Sequence, residues 1–403
     1  MEQPNYWQRL ARQRMTRRRL LAAGGVTALG AGAAMIVGCG GGGDGNGVTL
    51  KTPDPANPTA PIPGGDVTFG RLLNVLGIDP HLDLTGLDID FQLYSYLYSW
   101  RPYAEEIVLN NLASDFETPD PEHLEFIFTL NQGVKCHPIG PAAGEEITSE
   151  DCKQSFIRRG TSLTAPDKRF PNYISGVPTD RTALTAALLT PDRYTFRFKM
   201  AQPFVPSIRE MANPTWAIVP AKVLEEFKGR GLSQDAFGSG PFMLEQFEGN
   251  EKIVLRKHPE YFLQGRPYLD SITYIVITES SSLLAAFESG QHDVNGAILT
   301  KDQYDEFADD ERFTVATAPS FFYPVIHMKM KPPWDEIRVR EAVDLALNRD
   351  EMIASIQDNL GNYNGPIQWP QEKWALPQRE LREFYQYNPE LAKSKLAEAG
   401  YEG

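Results

Sequence analysis

Leu124, Phe126, Phe128 and Leu130 occupy every second position with polar or exposed-type residues between them, the period of a strand covered on one face. Tyr194, Phe196, Phe198 and Met200 repeat it, with Thr195, Arg197 and Lys199 on the other face. Ile253–Leu255 and Ile272–Ile277 are more continuously apolar, as expected of strands covered on both faces. The helical period follows. Val339, Ala342, Val343, Ala346 and Leu347 form one stripe. Thr148 to Asp151 resembles a capping box before Cys152, Phe156 and Ile157. Asn348 with Glu351 starts a helix, as does Asn388 with Pro389, which Gly400 closes. A short helix is expected over 281–289, closed by Gly290. Strands in separated hairpins in the first half and helix-rich segments in the second make the chain a mixed α/β protein.

The longest apolar run, Leu20 to Gly38, lies outside this pattern. Arg17, Arg18 and Arg19 precede it in TRRRLL, and it ends at Cys39 in IVGC. Paired arginines before a mildly apolar segment read as a twin-arginine export signal, and a cysteine after a small residue at its end reads as a lipidation site. A membrane-spanning helix is the competing reading. Gly24, Gly25, Gly30 and Gly32 make it a poor one and leave Cys39 unexplained. Residues 1–39 are therefore expected to be a lipoprotein signal peptide. Residues 40–65, rich in Gly and Pro, are expected to be a flexible linker with an rms reach of about 28 Å. Export to the outer face of the cytoplasmic membrane with a lipid anchor follows.

The formal net charge is −14, and removing the signal takes six arginines away. That argues against nucleic acid and against adhesion to anionic lipid. Residues 66–403 exceed the roughly 250–300 residues that one core supports, so two lobes are expected. Apart from Cys39, the cysteines are Cys136 and Cys152. The segment between them carries Pro138, Gly140, Pro141 and Gly144 and can turn back, so a disulfide in an oxidising compartment stands against two buried thiols. Only His137 lies nearby, and no metal site or cofactor is expected.

Four stretches together resemble the extracellular solute-binding proteins of family 5, the peptide- and nickel-binding components of ABC importers. They are LASDFETPDPEHLEFIFTLNQGVKCH (112–137) running on to ITSEDCKQSFIRR (147–159), GSGPF (238–242) with HPEYF (258–262), RVREAVDLALNRDEMI (338–353) and YNPELAKSKLAEAGY (387–401). They stand in the family's order across nearly the whole body. Three departures accompany them. Cys136 and Cys152 replace Phe and Val, and about seven residues are inserted after His137. Family members also continue well past the helix that ends here near Tyr401, so the second lobe is expected to be incomplete.

The resemblance implies a two-lobed periplasmic-binding-protein-like fold (class II, cluster C), with a first lobe over 66–275 and a partial second lobe over 276–403. It implies a monomer that closes on a peptide or other small solute and delivers it to the transmembrane subunits of an ABC permease. By position in the family pattern, Asp79 and His81 (in Asp79-Pro80-His81), Tyr94, Tyr98, Trp100 and Trp369 are the candidate ligand-binding residues. Ordinary core packing is the competing reading for each aromatic. Ser239 and Gly240 read as a tight structural turn. A ligand sensor for a membrane receptor would use the same fold. An exported hydrolase is the rival from another class. The chain has no G-x-S-x-G, H-E-x-x-H, Walker loop or C-x-x-C, and its six histidines never fall at i, i+4.

Overall fold

The protein is described by a computed structural model covering residues 61–100, 107–108, 111–162, 173–174, 180–204, 207–228, 231–315, 324–366 and 375–401. The chain divides into two units, Met1–Leu50 and Lys51–Gly403, and the elements below all belong to the second. The export and lipidation motifs, Cys39 and Trp369 lie outside the described residues.

One sheet has five strands in the order β11-β1-β10-β9-β8. They are β1 (Asp66–Arg71), β8 (Phe242–Glu248), β9 (Lys252–Lys257), β10 (Ser271–Val276) and β11 (Val294–Asn295). β1 runs parallel to both β10 and β11, while β10, β9 and β8 are antiparallel neighbours. The continuous apolar run at Ile253–Leu255 is explained here, since β9 is an interior strand and all three side chains are buried.

The second sheet has four antiparallel strands in the order β4-β5-β7-β6: β4 (Ala113–Glu117), β5 (Glu125–Leu130), β6 (Leu188–Asp192) and β7 (Thr195–Lys199). Period-2 patterning becomes one aromatic face, with Phe126, Phe128, Phe196 and Phe198 fully buried. Phe126 and Phe198 stack at 5.1 Å, and Phe156 meets Phe196 edge-on at 5.0 Å. A third ribbon pairs β2 (Ser99–Trp100) with β3 (Ile107–Val108).

α1 (Leu87–Leu93) follows the loop after β1, and α2 (Ser149–Thr161) carries Phe156 onto the aromatic face. The capping pattern is made largely by Asp151, whose carboxylate accepts from the Thr148 N–H at 2.7 Å and hydroxyl at 2.8 Å. α3 (Arg181–Ala187), α4 (Ser207–Met211) and α5 (Ala221–Glu226) are short. α6 (Ser280–Glu288) and α7 (Lys301–Asp309) flank β11 in the chain. Four further helices are α8 (Ile337–Ala346), α9 (Arg349–Ile356), α10 (Gln378–Phe384) and α11 (Pro389–Glu398). The sequence-based caps are present: the Asn348 side chain accepts from the Glu351 N–H at 3.2 Å and that of Asn388 from the Leu391 N–H at 3.0 Å. Gly400 adopts φ +83°. α8 and α11 lie together, joined by the Lys395–Glu341 ion pair at 2.6 Å and the Asn388 N–H to the Leu345 carbonyl at 2.8 Å.

β10 ends at Val276, and the crossover through α6 returns β11 to the edge of β1. Two expectations change. The α8 stripe is only half covered: Val339 and Ala342 are buried, Val343 is partly covered and Ala346 is exposed. The Cys136–Cys152 disulfide is replaced by two free, buried thiols. The intervening segment is closed by backbone pairing instead, with the Cys136 N–H on the Glu145 carbonyl at 2.7 Å and the Ile147 N–H on the Val134 carbonyl at 2.8 Å. Burial pushes the Cys136 thiol up to about 12 and that of Cys152 well above its usual range, so neither is poised as a thiolate.

Among the described residues no helix is long and apolar enough to cross a membrane.

Candidate functional site

Open α/β sheets bind ligands outside the carboxyl ends of their parallel strands. Here those ends belong to β1, β10 and β11. The Ile277 N–H bonds the Arg71 carbonyl at 2.9 Å, and the Gly296 N–H bonds the Gly70 carbonyl at 3.0 Å, so three chain segments leave the sheet side by side. Gly70 admits no side chain, since a Cβ there would lie 2.4 Å from His292 Nε2 and 2.7 Å from Leu283 Cδ1. The segments leaving these ends expose large apolar side chains: Leu73 is 73%, Leu76 75% and Ile298 87% exposed. Arg71 closes β1, pairs with Asp88 and donates to the Thr85 carbonyl at 3.0 Å. The Leu76 N–H donates to Thr85 Oγ1 at 2.9 Å and the Val75 N–H to the Gly249 carbonyl at 2.7 Å, which fixes the loop that carries both leucines.

Behind that loop lies a polar knot. The two Asp79 carboxylate oxygens accept from the two terminal nitrogens of Arg158 on α2. They also accept from the Leu232 N–H at 3.0 Å and the His81 N–H at 3.2 Å. Arg158 Nη1 lies 2.9 Å from His81 Nδ1, and His81 Nε2 lies 2.9 Å from the Ala217 carbonyl. Because Arg158 can only donate, His81 is the neutral tautomer with its proton on Nε2. Burial would raise the Asp79 carboxyl, but the Arg158 hydrogen bonds and charge, aided by His81 and Leu232, hold it below its usual value. Burial, with the Arg158 charge added, pushes His81 down to about 3. Asp79 and His81 are thus brought together, with no exposed surface of their own.

Tyr94 and Tyr98 are also fully buried. Tyr98 packs at 5.9 Å from Phe116 and 6.1 Å from Phe128, which is the core reading. The Tyr94 and Tyr96 hydroxyls and both Asp90 carboxylate oxygens are buried without a hydrogen-bond partner. Burial, with Asp79, Asp83 and Asp88 adding to it, pushes the Asp90 carboxyl well up. Trp100 ends β2, and Trp369 is outside the described residues. Sequence reading did not single out Arg158. Arg158 lies three residues after Ser155 on α2, next to the buried Arg159, and 79 positions after Asp79.

The GSGPF turn is a second fixed point. The Gly240 N–H bonds the Leu93 carbonyl at 3.0 Å, and Ser95 Oγ donates to the Ser239 carbonyl at 3.0 Å. A Cβ on Gly238 would lie 2.1 Å from the Leu93 carbonyl oxygen, so this turn needs glycine to approach the end of α1. Two grooves, of about 330 and 500 Å³, flank the inserted segment after His137, and neither includes a strand-end residue. In the larger, Lys222 pairs with Glu145 and Arg193 with Glu146. Among the described residues no group of His, Cys, Asp and Glu is arranged to hold a metal ion.

The family model described as bacterial extracellular solute-binding proteins, family 5 Middle, matches residues 108–403. The chain is 26% identical over 347 residues to the probable D,D-dipeptide-binding periplasmic protein DdpA of Escherichia coli K12, covering 83% of this chain and 62% of that one. It is 24% identical over 298 residues to the glutathione-binding protein GsiB of Salmonella typhimurium, covering 74% and 54%. Among solved structures it is similar to DppA from Helicobacter pylori in complex with the peptide STSA (TM-score 0.67, 22% identity), covering 84% and 67%. The binding protein AgaA from A. tumefaciens R10 with agropinic acid gives TM-score 0.68 at 23% identity, covering 84% and 65%. The fold is that of these two-lobed periplasmic binding proteins. The chain spans a little over half to about three-fifths of the length of these two curated relatives.

Proposed function

Because the chain belongs to the bacterial extracellular solute-binding proteins of family 5, we propose that it captures a peptide, or a similarly sized amino-acid derivative, and hands it to an ABC permease. The family match over residues 108–403 carries this reading. The chemistry named for the relatives narrows it: a D,D-dipeptide, glutathione, a tetrapeptide and agropinic acid. The carboxyl ends of β1, β10 and β11 would offer such a solute a place to lie. Backbone groups are fixed at a sheet margin, and Leu73 and Leu76 stand exposed above a loop fixed by Thr85 and Gly249. An extended peptide can pair its main chain with such a margin while its side chains occupy loose pockets. In this reading Asp79 and His81 shape the rim from behind.

The same proposal includes export through the TRRRLL signal, lipidation at Cys39, a leash over 40–65 and a monomeric binder without catalytic activity. Closure on solute is a population shift, since only the closed form lets both lobes touch the guest. Thermal melts of the purified protein with dipeptides, tetrapeptides, glutathione, nickel and an oligosaccharide test the solute class. A peptide at about 100 times its dissociation constant is expected to add roughly 2.7 kcal/mol of stability. A shift with nickel or oligosaccharide alone would reject the peptide reading, and solute turnover would reject the binder.

A further inference from the structure

The GSGPF turn is held from both sides by histidines of different sheets. His137 follows β5 of the four-stranded sheet in the chain, and His258 follows β9 of the five-stranded sheet. The His137 N–H bonds the Gly238 carbonyl at 2.8 Å, and the His258 N–H bonds the Pro241 carbonyl at 2.9 Å. Both rings converge on one acceptor: His137 Nε2 and His258 Nδ1 each lie 3.2 Å from the Gly240 carbonyl oxygen. The Gly238 N–H donates back to His137 Nδ1 at 3.3 Å. The two rings meet edge to face, 5.0 Å between centroids.

This arrangement fixes both protonation states. A carbonyl can only accept, so His137 carries its proton on Nε2 and His258 on Nδ1. His137 Nδ1 must be bare to receive the Gly238 N–H. A second proton on His137 therefore sets two N–H groups against each other. Protonating both rings would set two cations 5.0 Å apart at a buried carbonyl. Among the described residues the carboxylate that acts on them, Glu260, is already paired. His137 faces His258, and His258 faces Glu260 and Lys135, which are paired with each other, and the ring of Tyr261 at 6.3 Å.

We propose that His137, His258 and the Gly240 carbonyl form an acid-released latch, which at neutral pH pins the GSGPF turn to the end of α1 and below about pH 6 lets it swing away. The opened turn exposes imidazoles with their ordinary affinity for protons. In the closed turn burial holds His137 down to about 3 and His258 below its usual value. The closed state is therefore fully favoured above the ordinary histidine value of 6.5 and loses ground as pH falls below it. Each histidine makes opening easier by up to about tenfold per pH unit in that window. The consequence is local, because the β8–β9 and β5–β7 ladders do not depend on either ring.

Amide hydrogen exchange on the full chain, corrected for intrinsic rates, tests this at about pH 7.5 and pH 5. Protection of Gly240 and of the amides around Leu93–Ser95 is expected to fall at least about tenfold more than protection in β5 and β9. The variant His137→Gln/His258→Asn keeps an N–H for Gly240 at both positions and an acceptor for Gly238, without a titratable ring. Its protection at these amides should not change selectively with pH. An equal fall in variant and wild type, or no selective fall in wild type, overturns the latch. Should the double variant not fold, nitrogen-15 spectra of the histidines in the wild type decide the same question. Nε2–H and Nδ1–H tautomers for the two residues at neutral pH are required, and any other pair of states refutes it.

Discussion

Replacing Arg158 by alanine is expected to lower the unfolding free energy by about 3 kcal/mol, and up to about 5 if the site stays dry. The variant leaves Asp79, which has no exposed surface, ionised without its counter-charge. It also strips a donor from His81 Nδ1 and loosens the loop behind Leu73 and Leu76. Urea unfolding should show a lower midpoint at unchanged slope. Removing both charges should hurt less than removing one, so Arg158→Met/Asp79→Asn is expected to recover part of the loss. If the single and double variants are equally unstable, the pair acts only through packing. The acid side has a definite sign. The folded-state value of His81, about 3, lies below its ordinary 6.5, so the unfolded chain takes up the proton first. That stability is complete above about 6.5 and is lost as pH falls toward 3. Arg158→Ala removes one of the charges holding His81 down, so the variant's stability should fall less steeply over this window.

Phe128→Ala is expected to cost about 3–5 kcal/mol, a large share of the roughly 5–15 kcal/mol that holds a typical domain. Phe128 sits at the centre of the aromatic face, 5.8 Å from Phe116, 6.1 Å from both Tyr98 and Phe198, and 6.3 Å from Phe196. These neighbours belong to β4, β7 and the segment before β2, and they cannot all collapse into the space left behind. Phe128→Leu should cost less than about half as much, because most of the volume is kept. On the opposite face, Thr129→Ala should change stability by no more than about 0.5 kcal/mol. A cost for Phe128→Ala as small as that of Thr129→Ala would mean the aromatic face is not the organising core.

The strands were legible because their periods were clean. The alternation at 124–130 and 194–200 places Phe126, Phe128, Phe196 and Phe198 on one face, where they are found. Caps at Asn348 and Asn388 were legible for the same reason, being chemistry confined to one turn. What depended on distant segments was not. The pairing of β11 with β1 joins residues more than 200 positions apart, and no local pattern announces it. The Asp79-Pro80-His81 turn was found, but its partner Arg158 is 79 positions away on another element. Tyr94 and Tyr98 are both buried. Tyr98 went to the core, where a single Tyr-rich segment gives no way to tell a core ring from a cleft ring. Cys136 and Cys152 show the same limit: a segment able to turn back does turn back, but backbone hydrogen bonds close it and the thiols remain apart in chemistry.

In the proposed function a peptide-sized guest is gripped at the β1 strand end by closure of two lobes. X-ray scattering of the intact protein with and without saturating dipeptide or tetrapeptide tests it most directly. Closure predicts a smaller radius of gyration with at least one member of the peptide series and no change with nickel. Superimposable curves for every peptide, under conditions where bound peptide is verified by calorimetry, would contradict it.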